Sequence, residues 1–181
     1  PFIDGGVSVS FIGRQEKTIN FFKLGFLINI IVSLFFYYRI SNFFSLKKIK
    51  TNFKILGILS NIFLFIYIYS LGNEGAIYEI SKRLAIILYI VLMFINHAYM
   101  IKMIKLLRLQ EEIKFNKIYI KFFYLILSFM TILIIIGTPW INPLFKYPDK
   151  LKNIIEWNYF LLTIIFYLPI SMLFFKLIEK K

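Results

Sequence analysis

The sequence contains no cysteine and only one histidine, His97. The absence of cysteine excludes disulfides, thiolate chemistry and cysteine-ligated metals. A zinc site built from several histidines, or from histidines and carboxylates, is not expected from a chain with one histidine. We therefore predict neither a metal nor an organic cofactor.

Acidic residues are also scarce, with 9 Asp and Glu against 22 Lys and Arg, and no carboxylate falls inside a long apolar run. Ion-coupled transporters usually place ionisable groups or broken helices near the middle of the bilayer. Here only Pro169 interrupts the interior of an apolar run. An ion-coupled transporter or channel is thus disfavoured, and no nucleophile motif indicates an enzyme.

Apolar residues, in contrast, make up 60% of the 181 residues, and the mean hydropathy is +0.76. They form five runs of the length needed for one membrane-spanning helix, about 20 residues each. The spacers are short, which favours sequential antiparallel helices in one domain covering residues 1–181. We predict an all-α, polytopic transmembrane helical bundle with spans at residues 21–38, 53–71, 84–104, 118–137 and 159–177.

The distribution of charge predicts the orientation of these spans. One side of the predicted bundle carries 14 basic and three acidic residues, and the other carries eight basic and six acidic residues. Cytoplasmic loops are enriched in Lys and Arg, so the first side and the C-terminus are expected in the cytoplasm. This asymmetry explains the net charge of +13 without a nucleic-acid partner. The identity of the membrane is not predicted.

The segment PFIDGG, residues 1–6, then lies on the opposite side, at the edge of the first span. An N-terminus outside the cytoplasm needs a signal peptide or a preceding helix to cross the membrane. We expect a preceding helix, which would make six spans in the full protein.

Several short motifs occur in the same order as in a known family. They are the PFIDGG stretch at residues 1–6, Ile28-Asn29-Ile30, Tyr38-Arg39, the LGILS stretch at residues 56–60, and Glu156-Trp157. In this the chain resembles the family of DRAM-type autophagy modulators, FRAG-type Golgi factors of GPI-lipid remodelling and SFK-type plasma-membrane proteins. The family's Asn-Phe-Gln after the second span and its histidine before the third are absent here. The resemblance implies six spans and a role in lipid organisation, trafficking or autophagy-like processes.

Three groups of residues are candidates for a functional site. A loop on the outer face, which either packs over the bundle or recognises a headgroup or partner, comprises Pro1, Phe2, Ile3, Asp4, Gly6, Glu156 and Trp157. A polar patch inside the spans, which either fixes helix packing or lines a polar cavity, comprises Asn29, Ser60, Asn61, Asn96 and His97. Contacts to anionic lipid, beyond a role in topology, are predicted for Lys47, Lys48, Lys50, Lys114 and Lys117.

From these features we expect a non-enzymatic membrane protein whose partners are membrane lipids, with other membrane proteins left open. Two alternatives remain. One is a transporter of a small solute or lipid, which would use the polar interior as its path. The other is a lipid-remodelling enzyme, which would require acid–base chemistry at Asp4, Asp149 or Glu156.

Overall fold

The structure is a computed structural model that describes residues 3–4, 6, 15–109, 117–137 and 149–179, without the side chains of residues 109, 117, 149, 152 and 171–179. All regular secondary structure in these ranges is α-helical, which confirms the predicted all-α class. The helices are α1 (Ile19–Leu46), α2 (Phe53–Ser70), α3 (Ala76–Leu109), α4 (Lys117–Gly137) and α5 (Asp149–Glu179).

Three of these helices are longer than the apolar runs that predicted them. The first continues eight residues beyond residue 38, the third begins eight residues before residue 84, and the last begins ten residues before residue 159. A helix of 28 residues such as α1 rises about 42 Å, whereas the hydrocarbon core is about 30 Å thick. Hydropathy therefore locates the part of each helix that suits lipid, while the hydrogen-bonded helix continues beyond it.

The chain forms two compact units, Gly13–Asn96 and Pro1–Ile12 with His97–Lys181. In the first unit, α1 and α2 form an antiparallel pair that packs with the N-terminal part of α3. Its core consists of aliphatic and aromatic side chains from these helices. Phe26 of α1, for example, lies edge-on to Tyr67 of α2 with a centroid distance of 6.3 Å.

The end of α1 shows why the chain reverses there. Lys48 has a φ of 58°, the Lys48 amide donates to the Ser45 carbonyl, and the Ile49 amide donates to the Phe44 carbonyl. This pattern is a Schellman motif, which satisfies carbonyls left unpaired at a helix C-terminus. Glycine is the usual residue at the left-handed position because it has no Cβ. The turn therefore ends α1 and starts the short connection to α2.

In the second unit, aromatic rings join the helices. The Phe166 ring of α5 lies 5.3 Å from the Phe123 ring of α4 and 4.3 Å from the His97 ring of α3. All three side chains are fully or almost fully buried. This cluster places His97 among apolar rings.

Candidate functional site

Two residues of the predicted polar patch, Ser60 and Asn61, form part of a hydrogen-bonded contact between α1 and α2. Asn61 Nδ2 donates to the Gly57 carbonyl at 2.7 Å, and Ser60 Oγ donates to the same oxygen at 3.0 Å. Asn61 Oδ1 accepts from Ser33 Oγ of α1 at 2.7 Å. Because the nitrogen and the oxygen of the Asn61 amide each have a partner within these two helices, this contact serves helix packing.

Close packing of α1 against α2 accompanies that hydrogen bond. Tyr37 lies directly over Gly57, such that a Cβ added at Gly57 would be 2.8 Å from Tyr37 Cβ. The Tyr37 hydroxyl donates to Met93 Sδ of α3 at 3.6 Å. Gly57 thus creates the space in which Tyr37 connects three helices of the first unit.

Asn96 and His97, which also belong to the predicted polar patch, differ from Ser60 and Asn61 in their hydrogen bonding. Their exposed fractions are 1% and 0%, and within the described part of the chain neither the Asn96 amide nor the two His97 ring nitrogens have a hydrogen-bond partner. His97 instead contacts the rings of Phe166 and Tyr167, at 4.3 Å and 4.9 Å. Buried polar groups are normally hydrogen-bonded, and each unpaired one requires an explanation. These two residues are therefore the strongest candidates in the described chain for contact with a bound polar molecule.

Asn29 differs from the prediction that it would turn toward other helices of the chain. It is exposed on α1, and it makes no hydrogen bond within the described chain. The residue of α1 that meets Asn61 is Ser33, one turn further along the helix. Ser33 is half-buried and faces α2, whereas Asn29 is exposed. The two side chains leave the helix in directions that differ by about 40°, so the rotation of α1 about its axis decides which of them meets Asn61.

The predicted lipid contacts fall mainly on the turn between α1 and α2. Lys48 and Lys50 are exposed and Lys47 is half-buried. Lys54 Nζ lies 5.2 Å from the centroid of the Tyr38 ring, a cation–π distance that helps hold the charge at this end. Lys114 lies outside the described residues, and Lys117 is the first residue of α4, where its side chain is not described.

Charge is arranged differently at the other end of the first unit. There Glu79 on the first turn of α3 forms ion pairs with Lys82 and, at 3.8 Å, with Arg83. By contrast, no acidic residue occurs between Glu16 and Glu74 in the sequence. The connection between α1 and α2 together with the first two residues of α2, which we call the basic turn (residues 47–54), therefore carries positive charge with no acidic residue in the adjoining sequence.

The N-terminal candidate loop is described only in part, since Pro1 and Phe2 lie outside the described residues. Ile3 is 90% exposed, and Asp4 and Gly6 are exposed, so these residues do not pack over the helices as expected. The Gly6 amide donates to Asp4 Oδ1 at 3.4 Å. Asp4 is consequently an exposed turn residue.

The other part of that candidate loop lies within a helix. Glu156 and Trp157 are half-buried in the third turn of α5, rather than in a loop before the last span. The helix begins at Asp149 because polar residues before the apolar run also adopt helical structure. Asp149 and Glu156 are seven residues apart on one helix, which corresponds to a rise of about 10 Å.

Sequence reasoning missed Ser33, Tyr37 and Gly57 as parts of the interhelical contact. The spacing contained one usable signal, because Gly57 precedes Ser60 by three residues and Asn61 by four. Serine and asparagine side chains commonly bond carbonyls three or four residues earlier in a helix. Nothing in the sequence indicated which residue of α1 would face Asn61.

Each of the helices α1 to α5 contains a segment that is long and apolar enough to cross a membrane. Their outward surfaces are apolar, with residues such as Ile31 and Tyr69 more than half exposed. These features define the chain as a multi-pass integral membrane protein. Comparisons with protein-family models, with curated proteins and with solved structures found no match.

Proposed function

We propose that this protein is a non-enzymatic organiser of membrane lipid that gathers anionic headgroups at its basic turn. The resemblance to DRAM- and FRAG-type proteins supports a place in lipid organisation, trafficking or autophagy-like processes. The observation that carries the proposal is the exposed cluster of Lys48, Lys50 and Lys54 at one end of the first unit, in a stretch of sequence that has no acidic residue between Glu16 and Glu74.

The geometry suits headgroups for two reasons. The basic turn follows directly on α1, whose length exceeds the hydrocarbon thickness, so its lysines reach the headgroup region. A Lys near an anionic membrane surface contributes about 1 kcal/mol to attraction. The paired charges around Glu79 at the other end offer less net attraction. On the orientation predicted from charge, the basic turn faces the cytoplasmic leaflet, where anionic lipids are concentrated.

The test is lipid selectivity of the reconstituted chain. The protein is placed in vesicles of phosphatidylcholine with a minor fraction of spin-labelled phosphatidylserine, and the motionally restricted lipid is measured. We expect the double variant Lys48→Gln/Lys50→Gln to lower the relative association constant for phosphatidylserine by up to about 25-fold, because each charge contributes about a factor of five at low salt. Added salt should reduce the selectivity of the unaltered protein, since exposed charges are screened.

The matched control is Lys17→Gln/Lys23→Gln, which removes the same charge from the other end of α1. That pair should leave most of the selectivity in place. An equal effect of the two double variants would indicate a response to net charge alone and would contradict the proposal. So would an unaltered protein with no preference for phosphatidylserine over phosphatidylcholine.

A second candidate function, transport of a small polar solute or a lipid, is favoured by Asn96 and His97. Unpaired polar groups in a buried, apolar setting are energetically costly unless a bound molecule satisfies them. Consecutive residues near the middle of α3 supply amide donors and acceptors together with an imidazole. A passing hydroxyl, phosphate or water molecule would satisfy them.

Flux measurements distinguish the two candidates. Proteoliposomes containing fluorescently labelled phosphatidylcholine are treated with a membrane-impermeant quencher, and the loss of inner-leaflet fluorescence is followed. Transport predicts a flux that His97→Phe reduces and that Met100→Leu, a volume-conserving change at a buried apolar site on the same helix, preserves. Absence of flux from the unaltered protein, for both the labelled lipid and a panel of small solutes, would rule out this second function.

A further inference from the structure

Asn29 occupies an unusual position for an amide side chain. It lies at the middle of the apolar run of residues 21–38 on α1, it is exposed, and it makes no hydrogen bond within the described chain. Either end of that run is about 13 Å away along the helix axis. The Asn side chain is too short to reach a headgroup from there, so a monomer would expose the amide to lipid hydrocarbon.

Lipid cannot satisfy this amide. An amide transferred from water to a medium without hydrogen bonding is strongly disfavoured. In membrane helices, Asn side chains therefore hydrogen-bond across helix interfaces. The unpaired amide of Asn29 therefore indicates that another helix covers this face of α1.

The surrounding face permits close approach of another helix. Gly25 lies one turn before Asn29, and Val32 follows one turn later, at spacings that share one side of a helix. A Cβ added at Gly25 would meet no atom within 4 Å, and Val32 is 60% exposed. Small residues at such positions let the backbones of membrane helices pack closely. We call Gly25, Asn29 and Val32 the Asn29 face.

We infer that the Asn29 face binds the same face of a second copy of this chain. A primary amide carries both donors and an acceptor, so two Asn29 side chains related by a two-fold axis form two reciprocal hydrogen bonds. The stretch from Leu24 to Tyr38 contains no charged residue, so two copies meet there without like-charge repulsion. An identical amide therefore satisfies the donor and the acceptor of Asn29 together, without a further polar group.

The cysteine-free sequence allows a direct test in the full chain reconstituted in vesicles. Val32→Cys places a single thiol on the Asn29 face, and Ile31→Cys places one about 100° away around the same helix. The two side chains have similar exposed fractions, 60% and 67%. Under mild oxidation we expect disulfide-linked dimers from Val32→Cys at several times the yield from Ile31→Cys, since a disulfide requires nearby Cα atoms.

The role of the amide is tested by the dimer dissociation constant, measured by fluorescence transfer during dilution with lipid. Asn29→Leu should raise this constant roughly 3- to 20-fold, the range that interhelical hydrogen bonds in membranes span. Asn29→Gln keeps the amide and should retain most of the affinity. Gly25→Leu should weaken dimers more than Asn29→Leu because its side chain blocks close approach.

Three results would overturn the inference. One is a protein that stays monomeric at high protein-to-lipid ratio, which would mean that a different helix or another protein covers Asn29. Another is equal cross-linking from positions 31 and 32. The third is an Asn29→Leu monomer that unfolds more easily than the unaltered monomer, because that would place the partner of Asn29 inside the same chain.

Discussion

Replacement of Gly57 by alanine tests the contact that holds α1 against α2. The new Cβ would lie 2.5 Å from Tyr37 Cδ2, 2.6 Å from Cγ and 2.8 Å from Cβ. The ring can swing away, but Tyr37 Cβ is attached to the helix backbone. The two helices must therefore separate, and separation also lengthens the hydrogen bond between Ser33 and Asn61.

The expected magnitude follows from two opposing effects. Overpacking of a closely packed contact costs about 1–3 kcal/mol. Alanine in a helix interior is favoured over glycine by about 1 kcal/mol. The free energy of unfolding of Gly57→Ala should therefore fall by about 0–2 kcal/mol.

Gly25→Ala is the matched control because Gly25 is also inside a helix, and its added Cβ would meet no atom within 4 Å. This variant should gain up to about 1 kcal/mol from helix propensity. Unfolding of the purified chain is followed by circular dichroism during titration with a denaturing detergent, at high lipid-to-protein ratio so that chain–chain contacts are rare. The two alanine variants should change stability in opposite directions.

If Gly57→Ala proves as stable as Gly25→Ala, the close approach of α1 and α2 at Gly57 is refuted. A second variant separates steric overlap from other causes. Tyr37→Ala removes the ring atoms nearest to Gly57, so the additional loss caused by Gly57→Ala should shrink in that background. An unchanged loss would show that the overlap with the Tyr37 ring does not explain the effect.

Three further changes are predicted for the first unit, each measured by the same unfolding titration. Asn61→Leu removes the hydrogen bond to α1 and should lower stability by about 0.6–1.7 kcal/mol. Gly72→Ala should lower it by about 1–2 kcal/mol, because Gly72 has a φ of 84° and left-handed backbone disfavours a Cβ. Lys48→Gly should raise it by about 1 kcal/mol, because the left-handed position in the Schellman motif then carries glycine.

Each of these changes has a control in the same chain. Asn29→Leu is the same substitution at an exposed amide without a hydrogen bond, and it should not lower monomer stability; an equal loss at both sites would contradict the role of Asn61. Gly75 also has positive φ and its added Cβ would meet no atom closer than 3.9 Å, so Gly75→Ala should also lower stability; a loss at Gly72 alone would contradict the backbone explanation. For Lys48, alanine should give no gain, and a gain equal to that of glycine would reject the backbone explanation.

Local features of the sequence were sufficient to predict the all-α class and the five membrane-length helices of the described residues. The lengths of the apolar runs predicted five membrane-spanning segments, because the bilayer thickness sets the number of apolar residues that one helix needs. The ends of the helices were harder to predict from the sequence. Glu156 and Trp157 belong to α5, because helix formation continues through polar residues that a hydropathy pattern assigns to a loop.

The states of the three asparagines were decided by tertiary structure alone. Asn61 is hydrogen-bonded through both its nitrogen and its oxygen, Asn96 is buried without a partner among the described residues, and Asn29 is exposed. All three look alike in the sequence, as single amides inside apolar runs. Their environments depend on how each helix is rotated about its axis and how closely its neighbour approaches. Both properties arise from side-chain packing between helices distant in sequence, as at Tyr37 and Gly57, and no local pattern encodes them.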